Sequence, residues 1–263
     1  MPIACGSRLE VFAVPGVPLL RSGDDLPAIA LGALLGASVA LQDGDVVVLA
    51  SKAVSRAEGR FVDLSTVVPS TRAEEVGREI GKDPRIVHLV LSEASAVSRK
   101  ARDVLVVRHR LGFVVANAGI DLSNARPVDA PEASGPWALL LPVDPDASAE
   151  RIRAHLAKQT RAAVGVVVTD SFGRPFRLGT VGVAVGVAGL PALWDRRGEP
   201  DLFERTLEHT ETALADQIAA AAVLVAGQAA ERRALVVVRG LSFDVGAHGV
   251  RELLRRPDQD LYA

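Results

Sequence analysis

A mixed α+β fold is what this sequence predicts, and three observations carry the prediction. Short β-branched runs such as Val46-Val47-Val48-Leu49 and Val166-Val167-Val168 read as buried strands. Charged or Ala-rich stretches over residues 71–81 and 216–228 read as helices. The two kinds follow one another without a strict βαβ beat. The glycines at 179, 182, 186 and 189 do not make GxGxxG, so a Rossmann dinucleotide site is not expected.

In chain order, residues 26–41 are apolar at helical spacing, with Asp24 and Asp25 placed to cap the helix. Residues 45–50 form a strand that runs into Ser51-Lys52-Ala53-Val54-Ser55-Arg56-Ala57-Glu58-Gly59-Arg60. A charged helix over 71–81 and a strand over 86–91 follow, then paired strands over 104–108 and 111–116 joined near His109-Arg110. Residues 126–136, rich in Pro, Asp and Ser, predict a surface loop and the best place for an internal boundary in a single domain spanning 1–263. Leu139-Leu140-Leu141 leads through Pro142-Val143-Asp144-Pro145-Asp146 into a helix over 147–161. The glycines within 178–190 argue for tightly packed strands rather than a helix. A buried helix over 216–228 and a final strand over 234–239 complete the order. There is no tandem repeat.

Composition narrows the class. At 263 residues, 49% of them hydrophobic, the chain is long and apolar enough to bury a core. A formal charge of −2 and a pI near 6.2 give no reason to expect nucleic acid or an anionic membrane as partner. The two charge-free runs, 17 residues each between Asp25 and Asp43 and between Arg177 and Asp195, fall short of a membrane span and contain Gly and Pro. Met1 to Glu10 lacks the apolar core of a signal peptide, so a cytoplasmic protein is expected. Cys5 is the only cysteine, which leaves no intramolecular disulfide and no cysteine metal site. The histidines at 88, 109, 155, 209 and 248 make no HExxH and no close pair. Gly77-Arg78-Glu79-Ile80-Gly81-Lys82-Asp83 imitates a P-loop but is one residue short, ends in Asp, and lies in a helical segment.

Two strand ends carry the chemistry. Val166-Val167-Val168-Thr169-Asp170-Ser171-Phe172-Gly173-Arg174-Pro175-Phe176-Arg177 surfaces with a carboxylate, a hydroxyl and two guanidinium groups, a set that suits a metal-bound phosphate. The same composition also fits an Asp-Ser turn with its arginines in water. Residues 111–116 end likewise in Asn117-Ala118-Gly119-Ile120-Asp121-Leu122-Ser123-Asn124, where Asn and Asp could equally cap a turn. Converging, the two ends would give one carboxylate each to a shared cation, the number magnesium takes beside phosphate and water. Lys52, after its strand, is either a phosphate cation or an edge lysine reaching for solvent.

These residues resemble a known family. Val14-Pro15-Gly16-Val17-Pro18, Gly44-Asp45-Val46-Val47-Val48, Ser51-Lys52-Ala53-Val54-Ser55 and Glu58-Gly59-Arg60 are similar to segments of the coenzyme F(420)-0:L-glutamate ligases. So are Ala118-Gly119-Ile120-Asp121 with Ser123-Asn124, Leu141-Pro142-Val143-Asp144-Pro145-Asp146, and Thr169-Asp170-Ser171-Phe172-Gly173-Arg174. Ala215-Asp216-Gln217-Ile218-Ala219, Val236-Val237-Val238-Arg239-Gly240 and Asp260-Leu261 carry the likeness to the end of the chain. The resemblance implies a GTP-dependent enzyme that adds γ-linked L-glutamate to a deazaflavin coenzyme through an acyl phosphate. It implies an α+β fold in two interleaved subdomains and a homodimer, without the C-terminal reductase domain of some relatives.

The resemblance also assigns roles. Asp121 and Asp170 would bind one divalent cation, magnesium or manganese, and Ser171 with Gln217 a second, with potassium as a further ion. Val17, Pro18, Leu19, Leu20, Ser51, Lys52, Arg56, Asn124 and Gln217 would contact the nucleotide. Lys52, Asp121, Asp170 and Arg174 would act in catalysis. The family commonly has Lys at the position of Arg56 and often Glu at that of Gln217, which changes phosphate geometry and removes a negative charge. Two other functions therefore stay open at this point. One is a non-catalytic nucleotide- or deazaflavin-binding protein, the other an amide ligase acting on a different carboxylate.

Overall fold

The valine-rich runs alternate their side chains between two buried faces of one sheet. A computed structural model describes residues 3–132 and 134–259, so the Asp260-Leu261 pair lies outside the described residues. Its first half comprises β1 (Ala4–Ala13), α1 (Leu26–Gly36), β2 (Val46–Ala50), α2 (Ser51–Ala57), β3 (Phe61–Asp63), α3 (Thr71–Ile80), α4 (Pro84–Ser92), β4 (Ala94–Ala101), β5 (Val104–His109) and β6 (Val114–Ala116). The second comprises β7 (Trp137–Leu139), α5 (Pro145–Thr160), β8 (Gly165–Arg174), β9 (Arg177–Ala188), β10 (Trp194–Asp195), β11 (Glu211–Thr212), α6 (Leu214–Ala226) and β12 (Leu235–Ser242). The mixed α+β expectation holds.

The main sheet runs β1-β12-β2-β8-β9, with β2 and β8 parallel and the other pairs antiparallel. Val47, Leu49, Val166, Val168, Leu235 and Val237 face α1 and α5, meeting Ala30, Leu34, Ile152 and Leu156. Their neighbours Val46, Val48, Val167, Val236 and Val238 face α6, meeting Leu214, Ala215, Ile218, Ala219 and Ala222. Strand periodicity of two explains this division, and burial on both faces explains why the runs are apolar without alternation. A second body is made by residues between α2 and β7. There β4-β5-β6 form a sheet whose Leu105 and Val107 pack under Ala73, Val76 and Ile80 of α3 and Val87 and Val90 of α4.

Arg60 and Arg110 tie this body to the chain after β7, at Leu141 O and Val143 O, and Glu93 holds both guanidinium groups in place. Its carboxylate meets Arg60 Nη2 at 2.9 Å and Arg110 Nε at 3.0 Å, while Arg60 Nε donates to Leu141 O. His109 Nδ1 accepts from Leu111 N–H, which assigns the ring proton to Nε2, 3.4 Å from Glu93 Oε2. Burial by itself would raise the Glu93 pKa, but the His109 contact and the charges of Arg60 and Arg110 win and hold it at about 2.

Strand β9 bears out the reading of its glycines. A Cβ on Gly182 would lie 2.4 Å from Ala219 O of α6, and one on Gly186 would lie 2.5 Å from the Pro145 backbone of α5. Four residues apart, the two would share a face in a regular strand. A register shift between Ala184 and Gly186 reverses the facing, so each glycine admits a different helix. The Ala184 N–H at this bulge is taken by Asp216 Oδ1 at 2.9 Å.

Some expectations are corrected. Residues 86–91 are helix α4 rather than a strand: Asp83 caps it by accepting from Arg85 N, and Pro84 fills its first turn. Strand β8 does not end at Val168 but continues to Arg174, so Asp170 lies within a strand rather than past its end. The helix of 26–41 stops at Gly36. Strands β1 and β4 were not foreseen: both are edge strands with register shifts, β4 is polar, and in β1 only the last few residues, Val11 to Ala13, pack on the core. No helix among the described residues is long and apolar enough to cross a membrane.

Candidate active site

The parallel pairing of β2 and β8 stops where β2 ends, with Ala50 opposite Thr169, at the floor of a cavity of about 1390 Å³. Parallel strands commonly leave such a crevice at their carboxyl ends, where the chain turns away. From β2 the chain enters α2, which places Ser51 and Lys52 in its first turn. From β8 comes Asp170, on the face shared with Val166 and Val168. Asp121 arrives from the smaller body, its backbone pinned to β7 by Asp121 N–H to Leu139 O and Leu139 N–H to Asp121 O.

The turn that delivers Asp121 is unusual. Asn117, Ala118 and Gly119 all have left-handed backbones, with φ of 51°, 53° and 65°. For Ala118, buried completely, this costs on the order of 1 kcal/mol. Gly119 suits the turn because its φ of +65° is one that side chains rarely adopt, and a Cβ there would also press on Leu141 Cδ1 at 2.8 Å. Asn117 Oδ1 holds the turn by accepting from Leu105 N–H. Strained backbone concentrated against a buried carboxylate is typical of a functional site.

Electrostatics single out the same place. Burial raises the Asp170 carboxyl to about 6, and the charge of Asp121 adds to the rise. The Ser171 N–H, the Ser51 hydroxyl and Lys52 act against it. Lys52 Nζ stands 3.2 Å from Asp121 Oδ2 and donates to Ser123 O at 3.3 Å, so it is neither free in water nor spent on Asp170. Two carboxylates repelling each other beside an ammonium form a hard-oxygen seat for a cation with anionic oxygens above it. This donor set fits one magnesium-like ion. Among the described residues no group of three or more His, Cys, Asp or Glu converges on a metal site.

The other expected residues divide. Val17, Pro18, Leu19, Leu20, Ser51, Lys52, Arg56, Asn124 and Ser171 line the cavity with the two aspartates. Ser171 follows Asp170 in β8, so its side chain leaves the opposite face of the strand. Gln217 does not line the cavity and is exposed near the start of α6, so this chain by itself does not bring it to Ser171 or the carboxylates. Neighbouring Asp216 is spent on the β9 bulge. Arg174 also lies outside, with Nη2 on Leu178 O inside the β8–β9 hairpin. Arg56 is buried and its bonds go to backbone: Nε to Leu20 O, Nη1 to Asn124 O and Arg126 O, with Nη2 unpartnered. Sequence reasoning missed Gly119 as a left-handed residue of the turn that delivers Asp121. It also missed the wall formed by Ala222, Val223, Ala226 and residues 227–234. Its only signal was a Gly-bearing turn with two arginines before the last strand, which reads equally as a solvated turn.

The chain is thus a mixed α+β protein with two carboxylates and a lysine gathered where the parallel pairing of β2 and β8 stops. Residues 16–240 match the family model described as F420-0:Gamma-glutamyl ligase, and the chain belongs to this family. It is 44% identical over 256 residues to the coenzyme F420:L-glutamate ligase of Methanothermobacter thermautotrophicus, covering 97% of this chain and 98% of that one. It is 39% identical over 255 residues to that of Methanocaldococcus jannaschii, with 97% of each chain covered. It is 44% identical over 260 residues to that of Haloarcula marismortui, covering 96% and 95%.

Proposed function

We propose that this chain is a GTP-dependent ligase that joins L-glutamate, through a γ-link, to coenzyme F(420)-0. The observation that carries the reading is the Asp121–Asp170 pair beside Lys52 in the large cavity, in a chain 44% identical along nearly its whole length to a coenzyme F420:L-glutamate ligase.

Joining a carboxylate to an amine in water is uphill, so the acid must first gain a leaving group. A carboxylate oxygen of the coenzyme attacks the γ-phosphorus of GTP and GDP leaves, giving an acyl phosphate. The glutamate amine then attacks the acyl carbon, phosphate leaves, and the amine proton goes to solvent. Such chemistry needs positioned charge more than a protein nucleophile. Lys52 is held by Asp121 and Ser123 O with its ammonium facing the cavity, where it would orient and neutralise phosphate oxygens. Asp121 and Asp170 would hold the magnesium or manganese ion, which when bound supplies charge neutralisation for the phosphates. The second divalent ion, expected at Ser171 and Gln217, and potassium remain proposals without an assembled donor set in this chain. A homodimer is proposed as well. Leu178, Leu202 and Phe203, almost wholly exposed, support it.

The test is incubation with coenzyme F(420)-0, L-glutamate, magnesium and either GTP or ATP, followed by mass spectrometry. The glutamyl adduct is expected with GTP and is abolished by EDTA. No adduct with either nucleotide contradicts the reading, and a preference for ATP removes GTP from it.

A further inference from the structure

The cavity is larger than one ligand needs, since pockets for single small molecules commonly measure about 300–1,000 Å³ against about 1390 Å³ here. Strand β8 divides it. Asp170 leaves the face toward Asp121 and Lys52, whereas Thr169 and Ser171 leave the face toward α6. The first arm is walled by residues 17–20, Arg56 and 121–132. The second is walled by Thr180, the end of α6 and residues 227–234, and beyond the ion proposed at Ser171 nothing above gives these walls a ligand.

The second arm is shaped rather than loose. Gly227 has φ of +79°, and a Cβ there would lie 2.3 Å from Glu231 Cδ, so the turn closes only with glycine. Glu231 folds back on its own turn, its Oε2 accepting from Ala229 N–H at 2.7 Å. Thr180 Oγ1 donates to Gln228 Oε1, tying the turn to β9, and Arg233 Nη1 donates to Val225 O at the end of α6. These bonds occupy the acid of the turn and one nitrogen of Arg233. Arg232, with a left-handed backbone at φ 56°, has no hydrogen-bond or ion-pair partner among the described residues, and it lines the cavity with Arg233. Most of the rest of this wall is small, with Ala222, Ala226, Ala229, Ala230 and Ala234 beside Val223.

We propose that this arm is a carboxylate subsite, in which Arg232, backed by Arg233, binds the non-reacting carboxylate of a glutamate group. A guanidinium fork matches a carboxylate in two parallel hydrogen bonds, which an ammonium cannot do. The glutamate group has two possible sources, the free amino acid or a glutamyl residue already joined to an acceptor. Only the choice of glutamate rests on the ligase reading; the basic arm itself rests on geometry.

Two probes separate the sources and two measurements separate the claims. L-glutamate and the dipeptide γ-L-glutamyl-L-glutamate are titrated by calorimetry against the whole protein and its Arg232→Gln and Arg232→Lys variants, and GTP against the same three. Arg232→Gln should weaken at least one of the two carboxylate probes about tenfold or more. Arg232→Lys should recover only part of that loss, and GTP should bind all three proteins alike. Weakening of L-glutamate alone assigns the arm to the free amino acid, and weakening of the dipeptide alone to the acceptor. Unchanged binding of both probes, no binding of either to the wild type at millimolar concentration, or a loss confined to GTP overturns the subsite. Adduct formation by the wild type is scored separately. If no adduct forms while Arg232→Gln still weakens a probe, the ligase reading fails and the carboxylate subsite stands.

Discussion

Arg56 is a buried cation with no carboxylate beside it among the described residues, and burial lowers its pKa. The family resemblance implied a phosphate contact at this position. The structure instead spends three of its N–H groups on carbonyls of Leu20, Asn124 and Arg126, which belong to two separate walls of the cavity. Its unpartnered Nη2 leaves one nitrogen for a ligand. Arg56→Ala would strand these carbonyls at a cost of about 1–3 kcal/mol and untie the walls. Hydrogen exchange should speed up at residues 17–20 and 124–126, and the KM for nucleotide should rise about tenfold. Arg56→Lys keeps the charge but cannot span both walls, so it should show the faster exchange as well. Wild-type exchange and kinetics in Arg56→Lys would mean that charge alone matters. None of this was legible in the sequence, because the direction of one long side chain depends on where distant loops pass. That the two aspartates would approach one another could be expected from two strand ends of like composition, although the same composition fits capping turns equally.

At the scale of elements, the strongest signal was glycine spacing in β9. Gly182 and Gly186 were readable as close-packing positions, although the bulge that turns them to opposite helices was not. Gly182→Ala would drive a methyl group into the α6 backbone, with a predicted loss of about 1–3 kcal/mol in urea denaturation. Asp216→Ala would leave the Ala184 N–H at the bulge unsatisfied, with a similar loss. If Asp216 were instead a metal ligand, its replacement would leave stability without metal unchanged and abolish only metal binding. Helix α4 shows why other elements were misread. Six residues, five of them apolar around His88, have too little periodicity to separate strand from helix, and the Asp83-Pro84 start is the local capping signal that decides for helix.

For the whole molecule, two bodies must meet before the site exists, and Glu93 is one of the groups that hold them. Its pKa is depressed in the folded state, from 4.5 to about 2. Its stabilisation is therefore complete above the unfolded value and is lost as pH falls through the folded one. The loss amounts to about 3 kcal/mol over that window. Denaturant midpoints followed from pH 6 to pH 2.5 should fall less steeply for Glu93→Gln, which is weaker at neutral pH, and the two curves should converge in acid. Parallel curves would remove Glu93 from the latch. The contacts that join the bodies were not visible in sequence, since Arg60, Glu93 and Arg110 are ordinary surface types until folding brings them together.

The Asp121–Asp170 pair is made by the same meeting, one carboxylate from each body, and its purpose is the central claim. Asp→Asn at either position keeps shape and removes charge. Each variant should lose ligase activity a hundredfold or more, about 3 kcal/mol in the barrier. The double variant should be hardly worse than either single one, because both act through the same ion. The most direct measurement pairs this activity loss with the melting temperature of Asp170→Asn at neutral pH without divalent metal. Burial and Asp121 raise the Asp170 pKa, so its ionised form opposes folding and the variant should melt at or above the wild-type temperature. Activity that survives while the melting temperature falls would show the aspartates to be structural, and the account would be wrong at its centre.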